Sequence, residues 1–237
     1  MGGNELYFKR NFHSMVQILQ TKNALLALLL LIPTAHCLSQ TAYPADSILS
    51  SSESTLLERA VVAPIAVWQR LSYRTSFLNC QFHPSCSNYA ALSISRHGVL
   101  AGSALAADRI IRCNPAALHY QLKQSGLTGS PSDGFHHDGR LENPVPDNLF
   151  VIATEDGKSP LLAAGMSAML PGAGRIYSGR FWDGLFGFIT VGMLANATYM
   201  NINMGNKWGT TFSAAAMLIF YCGEIIGAYR AAARTVP

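Results

Sequence analysis

The chain has 237 residues, 49% of them hydrophobic and only 13% charged, with a net charge of +4. A soluble domain usually carries about 25% charge, and a mean hydropathy of +0.20 argues equally against a soluble multi-domain enzyme. Gly and Pro without a period exclude a collagen-like chain, and five cysteines are too few for a disulfide-dense scaffold. These features leave a membrane-associated protein with one modest folded domain. The charge is uneven: residues 59–123 carry seven basic side chains against Asp108 alone, whereas residues 124–158 carry six acidic and two basic groups. Segment boundaries are expected near 58, 124 and 159.

Lys9, Arg10 and Lys22 precede an apolar run from Ala24 to Ile32 that ends at Pro33. The run suits the centre of a signal peptide and is too short to span about 30 Å of hydrocarbon. Residues 1–39 therefore read as a hydrophobic signal-like helix, either a signal peptide or an N-terminal anchor. Small residues would allow cleavage after Cys37 or Ser39. Residues 40–58 are Ser-rich without a period and read as a flexible linker.

Residues 59–123 read as a small three-helix basic domain in an all-α protein. A helix across Val61–Tyr73 ends near Trp68, Arg70 and Arg74, and suits either a bilayer interface or a core. Pro84 and Ser85 open a second helix, with Ser85 as its cap. That helix keeps Tyr89, Ala90, Leu92 and Ile94 inward and ends at His97-Gly98. A third helix runs from Val99 to Arg112, with Gly102 and several alanines permitting close approach. Arg109 and Arg112 occupy its last turn, where positive charge suits the helix dipole, and Cys113-Asn114-Pro115 stops it. With Arg70, Arg74 and Arg96, these two arginines are the expected surface for lipid or a partner.

Cys80, Cys86 and Cys113 each stand at a helix boundary, so the three sulfurs are expected in one cluster. Their C-x5-C-x26-C spacing departs from the C-x2–4-C pairs of zinc sites. A Cys/His pair here lacks an oxyanion arrangement and an orienting third group. The remaining readings are small buried thiols packing helix ends, or a disulfide if the segment is exported. No catalytic residue, metal or cofactor is expected.

Tyr73, Cys80-x-Phe82-x-Pro84-Ser85-Cys86-Ser87-x-Tyr89-Ala90, His97-Gly98, Gly102, Leu105-Ala106 and Arg109-x-x-Arg112-Cys113-Asn114-Pro115 carry a resemblance. The stretch resembles the YidD, or membrane protein insertion efficiency factor, family. The resemblance implies a small membrane-associated helical factor that assists insertion of inner-membrane proteins beside the insertase and the Sec translocon. Three positions depart from the family pattern: Gln81 replaces an arginine, Leu92-Ser93-Ile94 replaces an acidic site, and Ala116 replaces a large residue after Asn-Pro. A family closure ending in Pro-Val-Pro is matched at Pro144-Val145-Pro146 after a longer insert.

Residues 124–158 read as an acidic Gly/Pro-rich loop with solvated His136, His137 and Asp138, and a short strand at Leu149–Thr154. Residues 159–180 read as an interfacial segment, with a short apolar helix stopped at Pro171. Phe181–Met200 and Thr211–Tyr229, within residues 181–230, read as two transmembrane helices forming a hairpin. Small residues favour their close packing, and Glu224 is expected either to face the partner helix or to sit protonated. The block from Pro171 to Arg180 resembles the entry segment of small TM2-like two-helix membrane domains.

Arg175, Arg180, Arg230 and Arg234 flank the hairpin ends and only Lys207 marks its turn, so charge bias puts both ends in the cytoplasm. A cleaved signal would put residues 40–158 on the opposite side, and the sequence leaves the side open. Two functions follow. One is a non-enzymatic accessory factor of the bacterial inner membrane, partnered by the phospholipid bilayer and, through the resemblance, by the insertase and translocon. The other is an extracytoplasmic thiol or metal-binding membrane protein using the same cysteines. Seven basic residues without a stacking module specify no nucleic acid, and no small-molecule substrate is evident.

Overall fold

The computed structural model of the protein describes residues 43–73, 80–128, 134–150 and 158–233. The signal-like segment, Arg74 and most of the strand expected at Leu149–Thr154 lie outside the described residues. Among the described residues are eight helices and one two-stranded sheet.

The expected linker is partly helical. Pro44 occupies the first turn of α1 (Pro44–Ser50), a position where its missing N–H costs nothing. Ala45 and Ile48 of α1 pack on Val62, Ala66, Ala91 and Ile94, so the Ser-rich composition concealed two apolar anchors. Next, α2 (Leu56–Ser72) opens with a capping box in which Thr55 and Glu58 satisfy each other's backbone N–H groups. The signal Thr55-x-x-Glu58 is legible in the sequence and moves the helix start five residues before Val61.

The second and third expected helices are the two halves of α3 (Cys86–Arg112), joined through Gly98 at φ 76°. Ser85 caps the first half by accepting from Asn88 N. Gly98 adopts the left-handed conformation that glycine tolerates best, and the chain turns back there. The halves then meet so closely that a Cβ on Gly102 would lie 2.5 Å from Ile94 Cα. Beyond the Asn114-Pro115 stop, α4 (Ala117–Thr128) continues past the boundary expected at 124. The acidic segment adds the one exception to an all-α chain. β1 (Phe82–His83) pairs in parallel with β2 (Leu141–Glu142), in register Phe82↔Leu141 and His83↔Glu142. Phe82, Ala117 and Leu141 form a small core beneath this pairing.

Ser159 caps α5 (Pro160–Met169), and α6 (Ala173–Tyr177) follows the Pro171-Gly172 turn. Then α7 (Phe181–Asn203) and α8 (Lys207–Ala233) form a hairpin whose turn is shorter than expected, since α8 starts at Lys207 and not Thr211. Both helices are long and apolar enough to cross a membrane. Ala163 of α5 packs on Ala228 and Ala232 of α8, and Tyr221 donates to Ala168 O at 2.5 Å. The far part of the hairpin presents Phe188, Met193, Tyr199, Trp208, Phe212 and Leu218 outward. From Phe186 to Met204 this apolar flank covers about 27 Å at 1.5 Å per residue, close to a hydrocarbon core.

Candidate functional site

The folded-back α3 brings its two ends together, and the candidate site is built around them. Arg109, in the last turn, is fully buried and lies over the rings of Phe82 and Tyr89, 3.9 and 4.7 Å from their centroids. Its guanidinium donates to Pro84 O at 3.0 Å, to Asn143 O at 2.7 Å and to Asn143 Oδ1. One side chain thus ties the start of α3 to the segment after β2. Burial, with Arg112 close by, lowers the Arg109 pKa to about 10, which leaves it cationic at neutral pH. The segment from Leu141 to Asp147 is laced down further along. Asn143 N donates to His83 O, Arg96 donates to Val145 O and Asp147 Oδ1, and His97 Nε2 lies 2.8 Å from Pro146 O. The Pro144-Val145-Pro146 motif therefore straps the helical pair, with Val145 packed on Tyr89 and Leu105.

The cysteines cluster as expected. The Sγ atoms of Cys80, Cys86 and Cys113 all lie within 4.8 Å of one another, with 3.4 Å between Cys80 and Cys86. All three are free thiols, and their burial departs from the reading as small buried groups: Cys80 and Cys86 are half-buried and Cys113 is exposed. N–H donors point at the sulfurs. Cys86 N donates to Cys80 Sγ at 3.4 Å and Gln81 Nε2 to Cys113 Sγ at 3.6 Å. Hydrogen bonds from the Cys113 and Cys86 thiols hold Cys80 well below the ordinary thiol range, while contacts with Cys113 and Cys80, and burial, raise Cys86. A second group lies nearby on the sheet: His83, His136 and Glu142 also bring ligand atoms within 4.8 Å. Its histidines already pair with carboxylates, His83 with Glu142 at 3.3 Å and His136 with Asp138 at 2.9 Å. His136 is stacked on His83 rather than solvated alone.

The other side of α3 meets the hairpin through buried charge. Asp108 takes Arg112 Nε at 3.0 Å and Arg175 Nη2 at 2.6 Å, and Arg175 Nε reaches Glu224 Oε1 at 2.9 Å. Burial raises the Asp108 carboxyl, but Arg112 and Arg175 outweigh it and hold the group below the usual carboxylate range. Asn114 Nδ2 donates to Asp183 Oδ1 at 2.6 Å, and Arg180 covers Asp183 from the other side at 2.6 Å. Tyr120 of α4 accepts from Trp182 N at 3.0 Å and lies beneath the Arg180 guanidinium. The approach needs a small residue in α8. A Cβ on Gly223 would stand 2.8 Å from Ala104 O and 2.9 Å from Ala107 Cβ.

The sequence-derived surface of five arginines is corrected by this geometry. Arg70 and Arg96 are exposed, each held by a carboxylate, Asp46 or Asp147. Arg109 and Arg112 are buried, because the last turn of α3 is the centre of the domain and Asn143 and Asp108 meet their charge. The motif residues Phe82, Pro84, Ser85, Cys86, Ser87, Tyr89, His97, Gly98, Cys113 and Asn114 all belong to the joined ends of α3, its kink or its contacts. Pro115 is exposed just past the stop. Glu224 faces its partner helix at Gly187 as expected, but its ion partner is Arg175, on α6. Asp108, Tyr120, Asn143, Arg175 and Asp183 were not anticipated as site residues. A lone acid among seven bases and one acid opening an apolar span were their only signals.

A family model described as "YidD: Putative membrane protein insertion efficiency factor" matches residues 57–120. Relatives bearing that same name come from several bacteria. One from Anaeromyxobacter sp. (strain Fw109-5) is 50% identical over 60 residues, 25% of this chain and 81% of the relative. One from Anaeromyxobacter dehalogenans (strain 2CP-C) is 42% identical over 60 residues, covering 25% and 79%. One from Oleidesulfovibrio alaskensis is 42% identical over 59 residues, covering 25% and 69%. The family match ends at residue 120 and does not reach the hairpin. No solved structure matches the chain.

Proposed function

Through residues 57–120 this chain belongs to the YidD family of membrane protein insertion efficiency factors, and on that premise we propose that the whole protein is a non-enzymatic accessory factor for insertion of bacterial inner-membrane proteins. It carries its own membrane hairpin, which holds the family domain at the bilayer. One observation carries this reading: Asp108 of the family domain and Glu224 of α8 share the buried guanidinium of Arg175. The family domain is thereby fixed to the entry of two apolar helices rather than tethered to them by a loop. Arg70 and Arg96 lie at the surface, where anionic lipid can compete with Asp46 and Asp147 for them, each worth about 1 kcal/mol near a charged membrane.

The same junction supports a cytoplasmic side for the family domain. The family domain packs at the two ends of the hairpin, and those ends carry Arg175, Arg180 and Arg230. Positive charge marks the cytoplasmic side, so the domain belongs there, beside nascent membrane proteins, with the insertase and translocon as neighbours. The test is an insertion assay in proteoliposomes containing the insertase, with the full-length protein present or absent. Protease-protected yield of a newly made inner-membrane protein rises with the factor under this reading, and an unchanged yield overturns it. Labelling from each side should find Cys113 and a Lys207→Cys residue on opposite faces, Cys113 inside. In the same membranes the protein should resist carbonate extraction.

A further inference from the structure

We infer that Cys80, Cys86 and Cys113 form a three-thiolate binding site for zinc(II), with its fourth position open to solvent. The sulfurs come from three separate points of the backbone: the approach to β1, the first turn of α3 and the residue that caps its end. Only the reversal at Gly98 brings the latter two together. Once gathered, the sulfurs lie within 4.8 Å, and Cys80 and Cys86 are 3.4 Å apart. A disulfide requires about 2.05 Å. Four-coordinate zinc with bonds of about 2.3 Å sets its sulfurs near 3.8 Å apart, and the observed spacing approaches that edge.

The surroundings suit metal-bound thiolates. Cys86 N–H and Gln81 Nε2 donate to two of the sulfurs, the kind of outer hydrogen bonding that fixes ligands and tunes the ion. Three thiolates and one zinc(II) leave a single negative charge, and the buried Arg109 cation beside Phe82 and Tyr89 opposes it. Binding expels the remaining thiol protons to solvent, with no oxidant or reductant required. Cys113 is exposed, so the fourth ligand is water or an incoming group. The neighbouring His83 and Glu142 pair with each other and His136 pairs with Asp138, and they are not part of the site. In a reducing compartment, where a disulfide does not persist, zinc clamps both ends of α3 in a domain too small for a generous core. The inference rests on the cytoplasmic side proposed above but not on the insertion activity, since zinc content and insertion yield are separate measurements.

The test uses full-length protein purified in detergent under reducing conditions and loaded with zinc. Elemental analysis should find one equivalent per chain, and X-ray absorption should find three sulfur neighbours at about 2.3 Å. Cobalt(II) in place of zinc should give an intense thiolate-to-metal absorption band. Cys80→Ser and Cys113→Ser should each weaken zinc binding at least tenfold, while Cys222→Ser and Glu142→Gln leave it unchanged. The absorption spectrum of the unsubstituted chain decides the matter even if the serine variants fold poorly. Absence of tight zinc, fewer than three sulfur neighbours, histidine nitrogen at the ion, or a Cys80–Cys86 disulfide in protein taken directly from membranes would each overturn the site.

Discussion

Asp108 and Arg175, 67 residues apart, meet in a 2.6 Å ion pair with at most 2% of either side chain exposed. One belongs to the family domain and the other to α6, the short helix that leads into the hairpin. Two charges out of water are costly unless matched, and here Arg112 and Glu224 complete the set. Such an arrangement specifies one docking geometry, because any slip of α8 along α3 would strand a charge.

Asp108→Ala leaves Arg175 and Arg112 short of a partner in the interior. Removing one member of a buried pair costs about 3–5 kcal/mol. Thermal unfolding of the full-length protein in detergent should show a large fall in midpoint, together with faster proteolysis near residues 171–180. A variant as stable as the parent would mean that the junction contributes little.

Acid should weaken the same junction. Asp108 has a depressed pKa in the folded chain, so its stabilisation is complete above the unfolded value of about 4 and is lost as pH falls through the folded value. The unfolding midpoint should therefore hold between pH 7 and about pH 5 and decline below pH 4. Asp108→Asn should be less stable at neutral pH and should show a shallower acid decline. Measuring both proteins across that range gives the sign directly.

Arg109 and Arg70 offer a contrast between a buried and an exposed arginine. Arg109→Ala removes donors to Pro84 O and Asn143 and the contact with two aromatic rings, at a cost of about 2–4 kcal/mol. Arg70→Ala breaks one exposed pair with Asp46 and should shift stability by less than about 1 kcal/mol. Weakened binding to anionic vesicles is expected of Arg70→Ala alone.

Much of this was legible in the sequence because local rules and tertiary packing agree. Ser85 as cap, Gly98 as break and Asn114-Pro115 as stop each follow from backbone chemistry within a few residues, and the apolar hairpin follows from length and composition. The convergence of the three cysteines was legible too, since helix ends joined by a tight reversal must meet. What escaped depends on distant partners. Arg109 and Arg112 look like surface charge in a basic segment, and their partners, Asn143, Pro84 O and Asp108, make their burial tolerable. The Ser-rich stretch concealed α1 because two apolar anchors, Ala45 and Ile48, leave almost no periodic signal. The β1–β2 pairing has two residues per strand, below what alternation can reveal.

The reversal of α3 is the feature most open to a single substitution. Gly98 has open space where a Cβ would go, so Gly98→Ala meets only the strain of φ 76°, about 1–2 kcal/mol. Gly102 has the opposite problem: its backbone is helical, but a Cβ would press on the backbone of Ser93 and Ile94. Backbone cannot yield as a flexible side chain does, so Gly102→Ala must push the halves of α3 apart, at a cost of about 3 kcal/mol or more. Because Cys86 and Cys113 sit at the far ends of those halves, the same shift should separate their sulfurs. Gly102→Ala is therefore expected to label faster with maleimide at Cys86 than Gly98→Ala does, at matched protein level. Equal labelling in the two variants would mean that the close contact at Gly102 does not hold the cysteines together.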